Sequence, residues 1–331
     1  RGCNMIRLTQ TRAPSSICMR DAYCRAVMEL ARKNPAIVSV EADVCSSMGM
    51  EPFRQEFPER SINCGIQEAN AVTMASGMSL MGMIPTFNAF ATFASRRVYD
   101  QVVISCGFAG ANVKIFGGDA GITAASNGGT HMAMEDVSIM VAVPGMTVVE
   151  PADPVALAGV VPQLFDKYGN VYLRCARKLV PQIYEEGTDF TVGKANVLRE
   201  GTDVTLVACG IMLAEALNAA EVLAREGISA AVIDCFTIKP LDEECLAEWA
   251  EKTGAVVTAE NQTLIGGLGS MVASCLARKC PVPMEMVGVQ DKFGEVGDIP
   301  YLQKKFGLTA LDIVAAARKT VARKGLKRER S

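Results

Sequence analysis

The sequence predicts an α/β protein of two domains, each built on a mainly parallel sheet flanked by helices. Three observations point there. Short β-branched segments alternate with helical stretches along most of the 331 residues, the rhythm of successive βαβ units. That rhythm falters once, between Val180 and about Arg199, and then restarts. Half of the residues are hydrophobic while only 6% are aromatic, so the core is made of small aliphatic side chains that let sheet and helix layers approach closely.

Taken in order, an amphipathic helix near Arg20 to Lys33 precedes a strand at Ile37–Val40, and an Ala/Gly/Met-rich helix runs from about Ile66 to Met83. Asn112–Phe116 reads as a strand, followed by a Gly/Ala-rich loop from Gly117 to Thr130. Thr147–Val149 and Val171–Leu173 read as strands on either side of a helix opened by Asp153-Pro154, a capping residue followed by proline at the first helical position. After the break come strands at Asp203–Ala208, Ser229–Asp234, Gly254–Thr258 and Glu285–Val287. Helices at Leu213–Glu226, Asp242–Lys252, Leu268–Lys279 and Ala310–Arg323 alternate with them. The expected organisation is an N-terminal tail over residues 1–15, a first domain over 16–185 and a smaller second domain over 195–325. In such sheets ligands gather at the carboxyl ends of strands, so the loops after strands should carry function.

A net charge of −3 offers no basic face for nucleic acid. The one basic run, from Arg318 to Arg330, reads as a solvated tail. Twelve cysteines occur without a CxxC pair, several inside apolar runs; they read as reduced, buried thiols of a cytoplasmic protein. No apolar run approaches the ~20 residues of a membrane span.

Several residues could carry chemistry. Glu68 opens an apolar helix, where a carboxylate gains ~0.3–1 kcal/mol from the helix terminus whatever its role. Phe90 and Phe93, three apart, would share one face of a helical turn. His131 is the single histidine of the chain and follows the Gly-rich loop, a natural proton handler near neutral pH. Gly266–Gly269 lacks a following Lys-Ser/Thr and reads as a place of close helix–strand packing rather than a phosphate loop.

The order and spacing of Gly65-Ile-Gln-Glu68, Ser76-Gly77, Pro85–Phe93, Gly128-Gly-Thr-His131, Pro151-Ala-Asp-Pro154 and Gly266–Ser270 resemble the transketolase family over nearly the whole length. The resemblance implies the pyrimidine-binding domain of the thiamine-diphosphate fold followed by a transketolase C-terminal-like domain. It implies a transferase moving a two-carbon ketol unit from a ketose (phosphate) to an aldose. Carried over by motif, Glu68 bonds the pyrimidine ring nitrogen of thiamine diphosphate, a task suited to a shielded carboxyl with a raised pKa. Phe90 and Phe93 form the floor under that ring, where stacking adds ~0.5–1.5 kcal/mol. His131 handles protons at the donor's oxygens. Arg20, Ser47 and Arg177 match the family's sugar-phosphate contacts, and guanidinium forks suit that anion. Asp43 would face the cofactor.

Two departures concern the substrate. The family's donor-side histidine, expected near Gly118, is absent, and the aspartate that reads the sugar's C2 hydroxyl is Asn127. The Gly-Asp-Gly motif that grips the diphosphate through Mg2+ or Ca2+ is also absent. An N-terminal transketolase subunit is therefore expected to hold diphosphate and metal, in an α2β2 assembly. The β subunit of a 2-oxo acid dehydrogenase E1 component, part of a deoxyxylulose-phosphate synthase, and a catalytically silent regulatory subunit are the alternatives.

Overall fold

The structure, a computed structural model, describes residues 5–328. Helix α1 (Met19–Lys33) leads into β1 (Ile37–Glu41), a short α2 (Glu51–Glu56), β2 (Ser61–Asn63) and α3 (Glu68–Leu80). Strand β3 (Ile84–Phe90) runs directly into α4 (Ala91–Ser95), and α5 (Tyr99–Gln101) continues as a π-helical stretch over Val102–Phe108. Then come β4 (Lys114–Gly118), 3-10 turns over Gly121–Asn127, α6 (Asp136–Ala142), β5 (Thr147–Val149), α7 (Pro154–Asp166) and β6 (Val171–Arg174). The second half holds β7 (Asn196–Arg199), β8 (Val204–Ala208), α8 (Met212–Arg225), β9 (Ala230–Asp234) and β10 (Thr237–Lys239). It closes with α9 (Glu243–Thr253), β11 (Val256–Thr263), α10 (Leu268–Lys279), β12 (Met284–Val289), α11 (Ile299–Phe306) and α12 (Ala310–Arg328).

Two sheets result. One has seven strands in the order β10-β5-β6-β4-β3-β1-β2, the other five in the order β12-β11-β8-β9-β7. All pairings are parallel except β10 on β5 and β7 on β9. Strands β1, β4, β5 and β6 are buried along their whole length, which is why they read as continuous rather than alternating apolar runs. The fold class expected from the sequence is the one observed. No helix among the described residues is long and apolar enough to cross a membrane.

Several details depart from the sequence pattern. Phe90 ends β3 with extended backbone while Phe93 belongs to α4, so the two do not share a helical face. The strand expected at 112–116 runs two residues later, because Gly117 and Gly118 pair with Ala89 and Phe90 of β3, a backbone register to which side-chain pattern is blind. Strand β7 falls inside the segment read as a link, and residues 5–15 are tied to that same segment. There Leu8 bridges Tyr184, Pro14 bridges Pro181, and the Thr9 amide donates to the Ile183 carbonyl at 2.9 Å. The basic run from Arg318 to Lys324 is docked helix rather than solvated tail. Arg318 forks onto Glu226, Lys319 and Arg323 pair with Glu285, and Lys324 Nζ donates to the Asp203 and Thr253 carbonyls. Residues 329–331 lie outside the described ones.

The two sheets are joined by a buried polar knot. Arg174, fully buried, donates from Nε to Asp136 Oδ2 at 2.8 Å and from Nη1 to Glu150 Oε1 at 2.5 Å. Its Nη2 donates to the Ala133 carbonyl at 3.2 Å and the Asn261 carbonyl at 2.9 Å, the latter on β11 of the other sheet. Asn261 returns to the first half: its Nδ2 donates to the Ala120 carbonyl, and its Oδ1 accepts from the Ile122 amide. Removing the cation while leaving two carboxylates buried is costly, so Arg174→Met should lower stability by about 3–5 kcal/mol. Urea denaturation checks this, and an unchanged midpoint would contradict it.

Glu260 caps α10 from within the core. Its Oε2 accepts from the Leu268 amide and from Gln262 Nε2, and its Oε1 accepts from the Gly269 amide. A Cβ at Gly267 would lie 2.1 Å from Glu260 Oε2, so these glycines permit close helix–strand approach, as the sequence suggests. Burial pushes the Glu260 carboxyl up from 4.5 to about 7, against the stabilising amides. A carboxyl that holds its proton more tightly when folded contributes stability that is complete below the unfolded value and is lost as pH climbs to the folded one. Wild-type protein should therefore lose ground to Glu260→Gln as pH rises from 4.5 to about 7. Paired denaturation curves across that range measure it, and a pH-independent difference would sink it.

Candidate active site

The candidate residues collect where strands end. β6, β4, β3, β1 and β2 are neighbours in the seven-stranded sheet, and their carboxyl ends deliver Arg177, Asp119, Phe90, Asp43 and the turn into α3. Past β2 the chain turns through Gly65 at φ +70, and α3 starts at Glu68. This places the carboxylate at the first helical residue, 3% exposed. Its Oε1 accepts from Arg97 Nη1 at 2.7 Å.

From Glu68 a continuous line of side chains can be followed. The Arg97 guanidinium lies 4.2 Å over the Phe93 ring. Phe93 meets Phe90 edge to face, with centroids 6.0 Å apart. His131 stands edge-on to both rings, at 5.7 Å from Phe90 and 5.2 Å from Phe93. The Thr130 hydroxyl is 2.9 Å from His131 Nδ1. Thr92, Phe93, Arg96, Arg97, Thr130 and His131 line an open cleft of about 490 Å³. A hollow of about 610 Å³ lies instead on the helical side, along α1, α7 and residues 182–188. None of the candidate residues lines it.

At the far end, Arg177 lies 5.2 Å over the Phe90 ring. Its Nη1 donates to the Ser47 carbonyl at 3.3 Å, and Arg20 Nη1 donates to the same oxygen at 2.9 Å. The structure thus brings Arg20, Ser47 and Arg177 together from positions far apart in sequence. Asp43 is exposed at φ +62 and exchanges bonds with Asn63, accepting from its Nδ2 and donating its own amide to its Oδ1. Asn127 ends the 3-10 turns, exposed, and no side-chain bond ties it to the group among the described residues.

Two residues were missed by sequence reasoning. Arg97 is signalled only by its spacing of four from Phe93 on helical backbone. Asp119 follows β4 directly, at φ +57 and 1% exposed, with Oδ2 2.8 Å from Arg177 Nε. A charged residue at the end of a central buried strand was the available signal. At Gly118, where the family's histidine was sought, a Cβ would come within 3.1 Å of the Met48 sulfur, so a side chain there requires the buried Met48 to shift.

Comparison with known proteins identifies the family. The transketolase pyrimidine binding domain matches residues 15–182, and the transketolase C-terminal domain matches residues 193–313. A 6-deoxy-6-sulfo-D-fructose transketolase subunit from Clostridium sp. (strain MSTE9) is 52% identical over 93% of this chain and 96% of its own length. One of the subunits of the apulose-4-phosphate transketolase of Phocaeicola vulgatus is 34% identical over 91% of this chain and 99% of its own length. A solved split gene transketolase, an inactive beta4 tetramer, is 42% identical with a TM-score of 0.86, covering 93% of this chain and 99% of that one. The chain belongs to the transketolase family, as the subunit of a split enzyme that carries the pyrimidine-binding and C-terminal domains.

Proposed function

We propose that this chain forms the pyrimidine-facing half of a thiamine-diphosphate site and, with an N-terminal partner subunit, transfers a two-carbon ketol unit from a ketose with a terminal anionic group to an aldose. The observation that carries the reading is the buried Glu68 carboxylate set beside the Phe90–Phe93–His131 cluster. These residues fit the pyrimidine end of that cofactor: an aromatic floor, a shielded acid at its edge, and an open side. When bound, thiamine diphosphate supplies the thiazolium carbon that carries the two-carbon unit.

The chain's own residues then have distinct tasks. Arg97 engages Oε1 of Glu68, and the other carboxylate oxygen would hold a proton for the pyrimidine ring of the cofactor. Phe90 and Phe93 would hold the ring and exclude water from one side. His131 holds or passes protons at the donor's hydroxyl and carbonyl oxygens. Asp43 and Asn127 stand at the rim, toward cofactor and sugar respectively. Arg20, Arg177 and the Ser47 segment anchor the terminal anion. The 52% identical relative is named for 6-deoxy-6-sulfo-D-fructose, which supports a six-carbon ketose with an anionic end as the donor.

The first domain is proposed to span 16–185 and the second 195–325, with β10 the strand that crosses from one to the other. The partner would hold the diphosphate and Mg2+ or Ca2+ in a cytoplasmic α2β2 enzyme. Activity of this chain would then require that partner, a reading supported by the related tetramer named as inactive.

Glu68→Gln in the reconstituted two-chain enzyme should lower kcat by about 100-fold or more, the usual scale for loss of a proton-handling group. An unchanged rate would favour a silent subunit, and pyruvate serving in place of ketoses would favour the dehydrogenase or synthase alternatives. The purified chain alone should show no turnover with thiamine diphosphate, Mg2+ and a ketose donor. Measurable transfer by it would refute the dependence on a partner.

A further inference from the structure

The turn that carries His131 is held from two sides. Residues 128–131 close on themselves: the Gly128 amide donates to the Ala125 carbonyl and the His131 amide to the Gly128 carbonyl, each at 3.0 Å. Toward the second domain the turn meets a backbone stop, since a Cβ at Gly129 would lie 2.2 Å from the Gly294 carbonyl oxygen. Toward the cleft the tie is Arg96, the residue after α4. Its Nη2 donates to the Thr130 carbonyl at 3.2 Å and to the hydroxyl of Thr92, a buried residue of α4. Its Nε lies 3.0 Å from Glu135 Oε1, and Glu135 Oε2 accepts from the Met134 amide at 3.1 Å. One guanidinium thus spans from the helix that carries Phe93 to both ends of the segment 130–135. Arg96 lines the cleft beside Phe93 and His131, and also a hollow of about 410 Å³ where this segment faces residues 291–294.

We infer that Arg96 is a positioning residue for proton transfer at the donor: it pins the His131 turn to α4 and so fixes the imidazole against the Phe90–Phe93 floor. This rests on the ketol-transfer reading and deepens it. Thr130, whose backbone Arg96 holds, presents its hydroxyl 2.9 Å from His131 Nδ1, which leaves Nε2 as the ring nitrogen for substrate. Among the described residues no other hydrogen bond joins residues 128–131 to α4. The ion pair with Glu135 is 44% exposed on one side and 36% on the other, and such a pair by itself is worth little. What Arg96 supplies is geometry, because its donors sit in one planar fork and hold three acceptors at fixed angles to one another. Proton transfer is sensitive to that placement, and a shift of about 1 Å in a reacting group costs as much as ~100-fold in rate.

A double-mutant cycle in the reconstituted two-chain enzyme tests this, with 6-deoxy-6-sulfo-D-fructose or D-fructose 6-phosphate as donor and D-glyceraldehyde 3-phosphate as acceptor. Arg96→Ala should lower kcat about tenfold while the donor KM changes by less than about twofold, the pattern of an interaction made only in the transition state. In a His131→Ala background the same substitution should cost nothing further, because a residue that acts through another has no effect once that other is gone. Equal losses in both backgrounds, as from general damage to the fold, overturn the inference, and so does an unchanged kcat in the wild-type background. A raised donor KM with unchanged kcat makes Arg96 a direct substrate contact and overturns it as well. Full rate in His131→Ala leaves Arg96 nothing to position and ends the inference, while transfer by the wild-type enzyme keeps the ketol-transfer reading. No transfer from either donor by the wild-type enzyme defeats that reading and this inference together.

Discussion

The join between the two sheets, and with it the loop that leads to His131, depends on one cation that solvent never reaches. Arg174 sits at the end of β6, and its guanidinium is shared between a carboxylate on α6, a carboxylate after β5, and carbonyls at Ala133 and Asn261. An isolated charge at that depth would be prohibitive, so its partners must be held in place as firmly as the cation itself. Asn261 belongs to the second sheet and also clamps Ala120 and Ile122. The loop that ends in His131 is thereby positioned by the half of the chain that does not contain it. The second domain thus holds in place a loop of the first.

The line of side chains from Glu68 to Arg20 alternates cations with aromatic faces. Arg97 lies over Phe93 and Arg177 over Phe90, contacts worth ~0.5–1 kcal/mol or more when partly desolvated. Each cation also faces a buried carboxylate, Glu68 in one case and Asp119 in the other. Charge is thus balanced locally at both ends of a cleft whose middle is apolar. Such an arrangement suits a cofactor ring bound between aromatic edges, with polar chemistry confined to the ring nitrogen at one end and the substrate's tail at the other. One side of the cleft stays open, the geometry expected of half a site completed at an interface between two chains.

Much of the fold was legible from pattern. The boundary of α7 followed from Asp153-Pro154, whose aspartate accepts from the Ala156 amide, because capping chemistry is local. Strands β1, β5, β6, β8 and β9 were legible for the same reason: buried parallel strands are short β-branched runs wherever they occur. What escaped was set by pairing rather than propensity. β7 and β10 exist because the edges of β9 and β5 were available to them, and the docked C-terminal helix owes its last turns to acids at 226 and 285.

The sequence by itself determined the family and the two-domain α/β architecture, since these are properties of motif order and local periodicity. Only the tertiary structure decided which residues meet. Arg20, Ser47 and Arg177 converge because the start of α1 packs between the loops that follow β1 and β6, Phe90 and Phe93 meet across a strand–helix junction, and Arg97 and Asp119 pair with Glu68 and Arg177. The physical reason is that distance through space is set by strand order and register, which no short stretch of sequence encodes.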